Sequence, residues 1–146
     1  MAEIVPLSEG HIDAVCEIEN ESFGDPWSRQ SFFELLGEPL AVAFAALEES
    51  EVAGYLISRR TPPEMEILNI AVRKTKRRKN IATGLFCALL EYAKAEKAER
   101  LTLEVRRSNS PALALYYKLG FELDGHRKNY YAHPKEDAAL MSLRVK

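Results

Sequence analysis

Apolar residues recur along this chain with two different periods, which predict helices alternating with strands. The segments "HIDAVCEIENESF", "IATGLFCALLEYAKA" and "ALALYYKLG" carry apolar residues three and four positions apart, the spacing of an amphipathic helix. By contrast, "RLTLEV" alternates apolar and polar residues, and "MEILNIAV" is an apolar run of strand length. The predicted order is β-α-α-β-β-β-α-β-α-β-β. This order indicates an α/β (α+β) fold, with a central mixed sheet of about seven strands and helices on its faces.

Turn and capping residues mark several boundaries of these elements. Ser28 follows "DPW" and is positioned to cap a short second helix. The acidic turn Glu48–Glu51 joins two predicted strands. Ser110 is the predicted cap of the last helix, with Pro111 in its first turn and Gly120 at its end.

Length and composition are those of an ordinary globular domain. At 146 residues, with 47% hydrophobic and 29% charged residues, residues 1–146 are predicted to form one domain. No apolar run approaches the roughly 18 residues that cross a bilayer, so no membrane association is expected. Cys16 and Cys87 lie in apolar helical segments. We expect both to be buried free thiols, which favours a cytoplasmic location.

Charge is divided between the two halves of the chain. Residues 1–66 contain 14 acidic and 3 basic side chains, a net charge of −11, whereas residues 67–146 contain 17 basic and 8 acidic ones, a net charge of +9. Such a division indicates a cationic partner near the first half and an anionic partner near the middle of the chain. The alternative is that both sets of charges are simply solvated.

The stretch "VRKTKRRKN", residues 72–80, concentrates the positive charge, with six basic residues among nine. It lies between a predicted strand and the start of an amphipathic helix. Unpaired N–H groups and the positive end of the helix dipole bind phosphate at such a turn. A diphosphate cofactor therefore fits better than nucleic acid, whose binding proteins usually spread their charge over a face. No direct nucleic-acid binding is expected.

Two segments resemble a known family. "NIAVRKTKRRKNIATGLF" resembles the acetyl-CoA signature Arg/Gln-x-x-Gly-x-Gly/Ala of the GNAT acyltransferases, with Arg77, Asn80 and Ala82 at its fixed positions. Asn80 departs from the central glycine, although asparagine tolerates positive φ. "LEVRRSNSPALALYYKLGF", with "PWS" at 26–28 and "EDAALMSL" near the end, resembles the RimI-type ribosomal-protein-alanine N-acetyltransferases over nearly the whole chain.

This resemblance implies a GNAT fold with a mostly antiparallel mixed sheet. It also implies acetyl-CoA as co-substrate, no metal, and transfer to the N-terminal alanine of the eighteenth small-subunit ribosomal protein, whose basic N-terminal peptide would be the partner. The acidic first half of the chain agrees with such a peptide. The oligomeric state is not predicted.

The resemblance also implies the catalytic residues. Glu104, on the polar side of "RLTLEV", aligns with the family's general base, although an exposed strand carboxylate is the simpler interpretation of its pattern. Tyr116 aligns with the general acid for the coenzyme A thiolate, although its place on the apolar helix face is typical of a core tyrosine.

Further residues are assigned to the two substrates. Trp27, Tyr130 and Tyr131 are candidates for the wall of the peptide groove, and Trp27 fits a core anchor equally well. The backbone of the strand before the basic turn would bind pantetheine, the turn itself would bind the diphosphate, and the asparagine before the last helix would contact the cofactor or cap that helix. The cofactor candidates are Ile70, Ala71, Val72, Arg77, Arg78, Lys79, Asn80, Ile81, Ala82, Thr83 and Asn109.

Three other functions remain open at this stage. A GNAT enzyme could acetylate a small amine or a lysine side chain. A non-catalytic module could use the basic stretch to bind the ribosome or RNA, with strong salt dependence. A chain that binds coenzyme A could also have lost turnover, a possibility raised by Asn80.

Overall fold

The computed structural model describes residues 2–77 and 80–146. Helices and strands follow one another in the predicted order. The strands are β1 (Glu3–Pro6), β2 (Ala41–Glu48), β3 (Glu51–Thr61), β4 (Glu64–Val72), β5 (Arg100–Arg106), β6 (Glu122–Ala132) and β7 (Lys135–Arg144). The helices are α1 (Ile12–Ser22), α2 (Arg29–Leu36), α3 (Ile81–Ala95) and α4 (Ser110–Lys118).

The strands form one seven-stranded sheet in the order β1-β2-β3-β4-β5-β7-β6. Every neighbouring pair is antiparallel except β4 and β5, which are parallel. Helix α3 connects that parallel pair, because parallel neighbours need a long crossover. The prediction of a mixed, mostly antiparallel sheet is confirmed.

Helices cover both faces of the sheet, because consecutive strand residues point to opposite sides. Tyr55 and Leu56, adjacent on β3, are both fully buried but belong to two different apolar clusters. The Tyr55 cluster includes the apolar residues of α1 and α2. The Leu56 cluster includes those of α3 and α4. Each helix therefore buries its apolar stripe against its own side of the sheet.

β4 and β5 separate half-way along their length. Their pairing runs only from Glu64 opposite Arg100 to Ile67 opposite Leu103. An irregularity in the pairing of β4 with β3 occurs at the same level, where Ile57 pairs with Asn69 but Ser58 pairs with Ile67. Beyond this point β4 follows β3 and leaves β5. The separation opens a cavity between the two central strands.

The turn into α3 is fixed by close backbone packing. Asn80, directly before the helix, has φ 59° and ψ 25°, the left-handed conformation that asparagine tolerates better than most residues. Gly54 on β3 lies next to the end of β4, where a Cβ would be 2.9 Å from the carbonyl oxygen of Ala71 and 3.2 Å from Ile81. Only glycine fits there without a shift of the neighbouring strand.

The capping predictions are confirmed at two positions and wrong at a third. Ser28 caps α2 by accepting a hydrogen bond from the Ser31 amide, and Gly120 follows α4 with φ +103°. The cap of α4, however, is Asn109, whose side chain accepts the Ala112 amide at 3.2 Å. Ser110 is instead the first helical residue, one position after the cap.

The prediction that both cysteines are buried is also wrong. Both are free thiols, but Cys87 is exposed and Cys16 is only half-buried. The buried stripe of α3 contains Leu85 and Leu89, and Cys87 lies midway between them, on the opposite side of the helix. Cys16 follows the buried Val15 by one position, at the edge of the apolar face of α1.

Candidate active site

A cavity of about 650 Å³ lies where β4 and β5 separate. Its walls come from four places: the second half of β4, the second half of β5 with the loop after it, the end of α1 with the loop after it, and the first half of α4 together with a tyrosine of β6. The residues lining it are Glu19, Ser22, Phe23, Gly24, Asp25, Pro26, Trp27, Ile67, Leu68, Asn69, Ile70, Leu103, Glu104, Val105, Arg106, Ser108, Asn109, Ala112, Tyr116 and Tyr131.

Glu104 lines this cavity from β5, and its side chain is 20% exposed. An Arg127 guanidinium nitrogen lies 3.6 Å from its carboxylate. Interaction with the same carboxylate, together with partial burial, raises the pKa of Tyr130 to about 12. Glu104 is therefore a carboxylate held in place at a cavity, in contrast to the simple surface residue that its pattern alone suggests.

The two tyrosines reach this region because β6 is irregular. Arg127 pairs with Ala138 of β7 and Tyr131 pairs with Glu136, so β6 has two more residues than β7 over this interval. Asn129 lies in the extra segment with φ 53°, and its amide is held by the Asp137 carboxylate at 2.8 Å. Bulges of this kind redirect side chains. Tyr130 and Tyr131 then pack edge to face with ring centroids 5.0 Å apart.

Tyr116 is a core residue and a cavity residue at once. It is 7% exposed, and its ring packs edge to face against Phe121 at 5.6 Å. Burial raises its pKa, and the neighbouring Tyr131 adds to the effect. Among residues 2–77 and 80–146, no group accepts a hydrogen bond from its hydroxyl, although the residue lines the cavity. The phenol therefore keeps its proton in a place where a bound molecule could take it.

Asn109 has two roles in the structure. It caps α4 through the Ala112 amide and also lines the cavity. The two interpretations of this residue, a cap and a cofactor contact, are therefore compatible.

The sequence profile of the Acetyltransferase (GNAT) family matches residues 12–121. The chain belongs to the GNAT family. It is an N-acetyltransferase, and enzymes of this family take the acetyl group from acetyl-CoA. The matched segment contains all four helices and four of the seven strands, β2 to β5; β1, β6 and β7 lie outside it.

Three similar proteins point to the same group of GNAT enzymes. A Bacillus subtilis protein, provisionally named as a ribosomal protein bS18-alanine N-acetyltransferase, is 41% identical over 135 residues, which cover 92% of this chain and 89% of that one. The Salmonella typhimurium ribosomal protein bS18-alanine N-acetyltransferase is 33% identical over 147 residues, covering 99% of each chain. The crystal structure of the Escherichia coli ribosomal-protein-S18-alanine N-acetyltransferase matches with a TM-score of 0.91 at 30% identity, covering 100% of this chain and 95% of that one.

The basic stretch that resembles the GNAT acetyl-CoA signature is only partly free to bind an anion. Arg73 lies 3.3 Å from the Glu17 carboxylate, and Lys76 is 2.7 Å from Glu48. Arg77 donates to the Val72 carbonyl at 3.1 Å, which folds its side chain back against the end of β4. The predicted diphosphate ligands Arg78 and Lys79 lie outside the described residues.

The predicted cofactor residues fall into two places along the GNAT fold. Ile70 and Asn109 line the cavity itself. The remaining described ones lie where β4 ends and α3 begins, beyond the cavity wall: Ala71, Val72, Arg77, Asn80, Ile81, Ala82 and Thr83. The amides at the start of α3 have no partner inside the helix, as in any helix. The chain thus offers an open strand edge followed by a helix N-terminus.

Of the predicted substrate residues, Trp27 and Tyr131 line the cavity, whereas Tyr130 lies beside it against Glu104. Trp27 is half-buried, and its ring lies 5.3 Å from that of the buried Phe32. It is therefore both packed against the core cluster and present in the cavity wall, so its two proposed roles coexist.

Glu19 and Arg106 are two of the cavity residues that were not identified from the sequence. Glu19 is 1% exposed on the apolar face of α1, four residues after Val15. Arg106 follows Glu104 on the same side of β5, and its guanidinium lies 4.3 Å from the centroid of the Tyr131 ring. A carboxylate at an apolar helix position is a signal that could have identified Glu19, because buried charges need partners. Arg106 carries no comparable signal.

The described part of the chain contains neither a candidate metal-binding cluster nor a helix that could span a membrane. No three His, Cys, Asp or Glu side chains within it are grouped so that they could hold a metal ion. None of its helices is long and apolar enough to span a membrane.

Proposed function

We propose that this GNAT enzyme acetylates the α-amino group of a protein N-terminus, with the N-terminal alanine of a small-subunit ribosomal protein as the substrate. The observation that carries the proposal is that Glu104 and Tyr116, from different elements, line one cavity. The names of the Salmonella typhimurium and Escherichia coli proteins supply the substrate class.

Glu104 is the general base of the proposed reaction. An α-amino group has an ordinary pKa of about 8, so at neutral pH much of it is protonated and lacks the lone pair that attacks a carbonyl. A carboxylate on the cavity wall can take the proton directly or through one water. Arg127 lies 3.6 Å from one carboxylate oxygen, and a carboxylate has about four lone-pair sites, so acceptor capacity is left for the amine.

Tyr116 is the general acid. Attack of the amine on the thioester forms the new C–N bond, and the C–S bond then breaks with its electron pair on sulfur. The leaving thiolate needs a proton, and the buried phenol of Tyr116 holds one in the cavity. No covalent enzyme intermediate is needed, because the acetyl group passes directly from sulfur to nitrogen.

Acetyl-CoA fits the open edge of β4 and the turn that follows it. Pantetheine carries amides that can pair with the backbone of Ile70, Ala71 and Val72 where β4 has left β5. The left-handed Asn80 directs the chain into α3, so that its first amides can bind a diphosphate. The described part of the basic stretch supplies Lys74 and Arg77 as exposed cations nearby. Asn109 would contact the same molecule from α4.

The peptide side of the cavity is negative. Four charged residues line it: Glu19, Asp25 and Glu104 are acidic and Arg106 is basic. The Arg106 charge is offset by Glu136 at 3.3 Å. A cationic peptide is favoured by this balance. Trp27 and Tyr131 form apolar walls beside it, and a ribosomal substrate places the reaction in the cytoplasm.

The first test measures thiol release from acetyl-CoA with a peptide beginning Ala-Arg, beside the same peptide with a blocked α-amine. Release that depends on the free α-amine is the expected result. Equal release with the blocked peptide, or faster release with polyamines or internal-lysine peptides, would move the substrate to another amine. Tight coenzyme A binding without release from any acceptor would indicate an inactive enzyme. RNA binding that coenzyme A does not compete with would favour a ribosome-binding module.

A further inference from the structure

Glu19 is a buried carboxylate that exchanges no proton in the proposed acetyl transfer. It lies on α1, is 1% exposed, and lines the cavity from the side of the loop after α1. No basic side chain among residues 2–77 and 80–146 forms an ion pair with it. A buried charge without a cation is costly unless hydrogen bonds compensate it. The hydrogen-bond donors around Glu19 therefore indicate the role of this carboxylate.

Three neutral groups donate to Glu19, and they come from three different parts of the chain. Oε1 accepts from the Tyr55 hydroxyl of β3 and from the Asn69 amide of β4, the latter at 2.6 Å. Oε2 accepts from the backbone amide of Trp27 at 2.8 Å. Oε1 is thus bonded to β3 and β4 of the sheet, at the level where β4 leaves β5. Oε2 is bonded to the backbone of the loop that carries Trp27.

The loop has little else to hold it to the sheet at this point. Phe23 ends α1, and residues 24–27 have neither helix nor strand pairing before Ser28 caps α2. The Trp27 ring packs on Phe32, whose own ring lies 6.1 Å from Tyr55. The Glu19 bond to the Trp27 amide fixes the backbone beneath that ring, and so fixes where the indole stands in the cavity wall.

We infer that Glu19 is a positioning residue that sets the peptide-binding wall through Trp27 and thereby determines affinity for the acceptor peptide. The inference rests on the proposed function for its kinetic consequence, but the placement of Trp27 can be measured without any turnover. Acetyl-CoA would bind along β4 and the start of α3, so its affinity should depend little on the Trp27 loop.

The test compares Glu19→Ala with Tyr55→Phe in the full-length protein. Glu19→Ala removes the acceptor of the Trp27 amide. Tyr55→Phe keeps both carboxylate oxygens and the Trp27 bond, removes only one donor to Oε1, and Tyr55 does not line the cavity. Both variants should lower the thermal midpoint. Only Glu19→Ala should raise the peptide KM, by about 10-fold to 100-fold for a misplaced wall, with the KM for acetyl-CoA unchanged.

Tryptophan fluorescence provides the independent readout, because Trp27 is the only tryptophan in the chain. We expect Glu19→Ala to increase quenching of Trp27 by acrylamide, and Tyr55→Phe to leave it at the wild-type level. The quenching of Trp27 in Glu19→Gln should lie between the values of the other two variants. The single carbonyl oxygen of glutamine can accept from the Trp27 amide or from the Tyr55 and Asn69 donors, but not from both sets.

Two outcomes would overturn the inference. One is unchanged Trp27 quenching in a folded Glu19→Ala protein. The other is an equal rise of peptide KM in Tyr55→Phe, which would make the effect one of general stability. If Glu19→Ala does not fold, the same two criteria apply to Glu19→Gln. A wild-type enzyme that does not acetylate the peptide would refute the proposed function alone, since the quenching comparison still decides the role of Glu19.

Discussion

The Glu104 carboxylate raises the pKa of the Tyr130 hydroxyl to about 12, although the two residues lie on strands that are not neighbours. β7 lies between β5 and β6, and the two extra residues of β6 bring the tyrosine across it. Arg127 from the same strand lies against both partners, 3.6 Å from the carboxylate and 5.1 Å from the centroid of the Tyr130 ring. The proposed base and the proposed peptide wall are therefore one connected unit.

Replacing Glu104 by glutamine tests both halves of that unit. We expect Glu104→Gln to lower kcat by about two to four powers of ten, because the amide cannot accept a proton from the amine. The Glu104 carboxylate also raises the pKa of Tyr130, so the variant should bring that pKa down towards the ordinary tyrosine value. Steady-state kinetics measures the first effect, and ultraviolet titration of phenolate measures the second.

Glu122→Gln is the control for this prediction, because Glu122 is an exposed carboxylate at the start of β6, outside the cavity lining. It should leave both kcat and the tyrosine titration unchanged. A Glu104→Gln enzyme with wild-type kcat would remove Glu104 from the mechanism, whatever happens to Tyr130.

Tyr116→Phe tests the general acid while keeping the ring in the core. Only the hydroxyl is lost, so packing against Phe121 remains and the thermal midpoint should change little. We expect kcat to fall by about 100-fold if the phenol protonates the thiolate. Wild-type turnover in the variant would show that Tyr116 only fills the core.

The pH dependence of Tyr116 follows from the same burial. Its pKa is raised in the folded protein, so the phenol still holds its proton at pH values where an exposed tyrosine begins to lose it, about pH 10. Turnover should therefore not decline below about pH 10 through loss of this proton. The unfolded chain releases the proton first, so the stability from burying a neutral phenol is complete below that pH and is lost as the pH rises further. Chemical denaturation above and below that pH should show a smaller loss for Tyr116→Phe than for the wild type.

The sequence predicted the elements that have one dominant determinant. The 3.6-residue stripe of α3 and the alternation of β5 each follow from burial on one side, so the order of elements is confirmed. Asn80 adopts the left-handed conformation that the motif required of its glycine. Tyr116 was expected to be either a core residue or a catalytic one. It is both buried and part of the cavity lining.

The features that were missed depend on contacts between distant segments. Glu19 is held by donors that lie 8, 36 and 50 residues away, and no local pattern contains that information. The extra residues of β6 that direct Tyr130 can be recognised only once its pairing with β7 is known. Cys87 was misplaced because an apolar segment was treated as buried all round, whereas α3 buries only one side.

Arg106 connects β5 to the β6–β7 hairpin through several bonds at once. Its guanidinium donates to the carbonyl oxygens of His133 and Pro134 at 2.9 and 2.8 Å and stacks on Tyr131. Lysine keeps the charge but cannot make this fork or stack in the same way. We expect Arg106→Lys to cost about 2 kcal/mol of stability and to raise the peptide KM more than the KM for acetyl-CoA.

The adjacent Arg107→Lys provides the matched control. Arg107 is 65% exposed and lies 3.8 Å from Asp137, so its replacement should change neither stability nor either KM measurably. An equal rise of both KM values in Arg106→Lys would contradict the prediction, because the effect would then not be specific to peptide binding through the β6–β7 hairpin.

Asn80 is the position where this chain departs from the acetyl-CoA signature, and its backbone makes the effect of replacements predictable. With φ 59°, alanine in its place should cost about 1 kcal/mol, because a Cβ without a local hydrogen bond is disfavoured in the left-handed region. Glycine adopts the left-handed conformation without strain and has no side chain beside the first amides of α3. Asn80→Gly should therefore lower the Kd of acetyl-CoA with no loss of stability. Calorimetric titration with acetyl-CoA and thermal unfolding of both variants measure the two effects. A higher Kd for Asn80→Gly would mean that the asparagine side chain itself contacts the cofactor and that this chain has replaced the backbone approach with a side-chain contact.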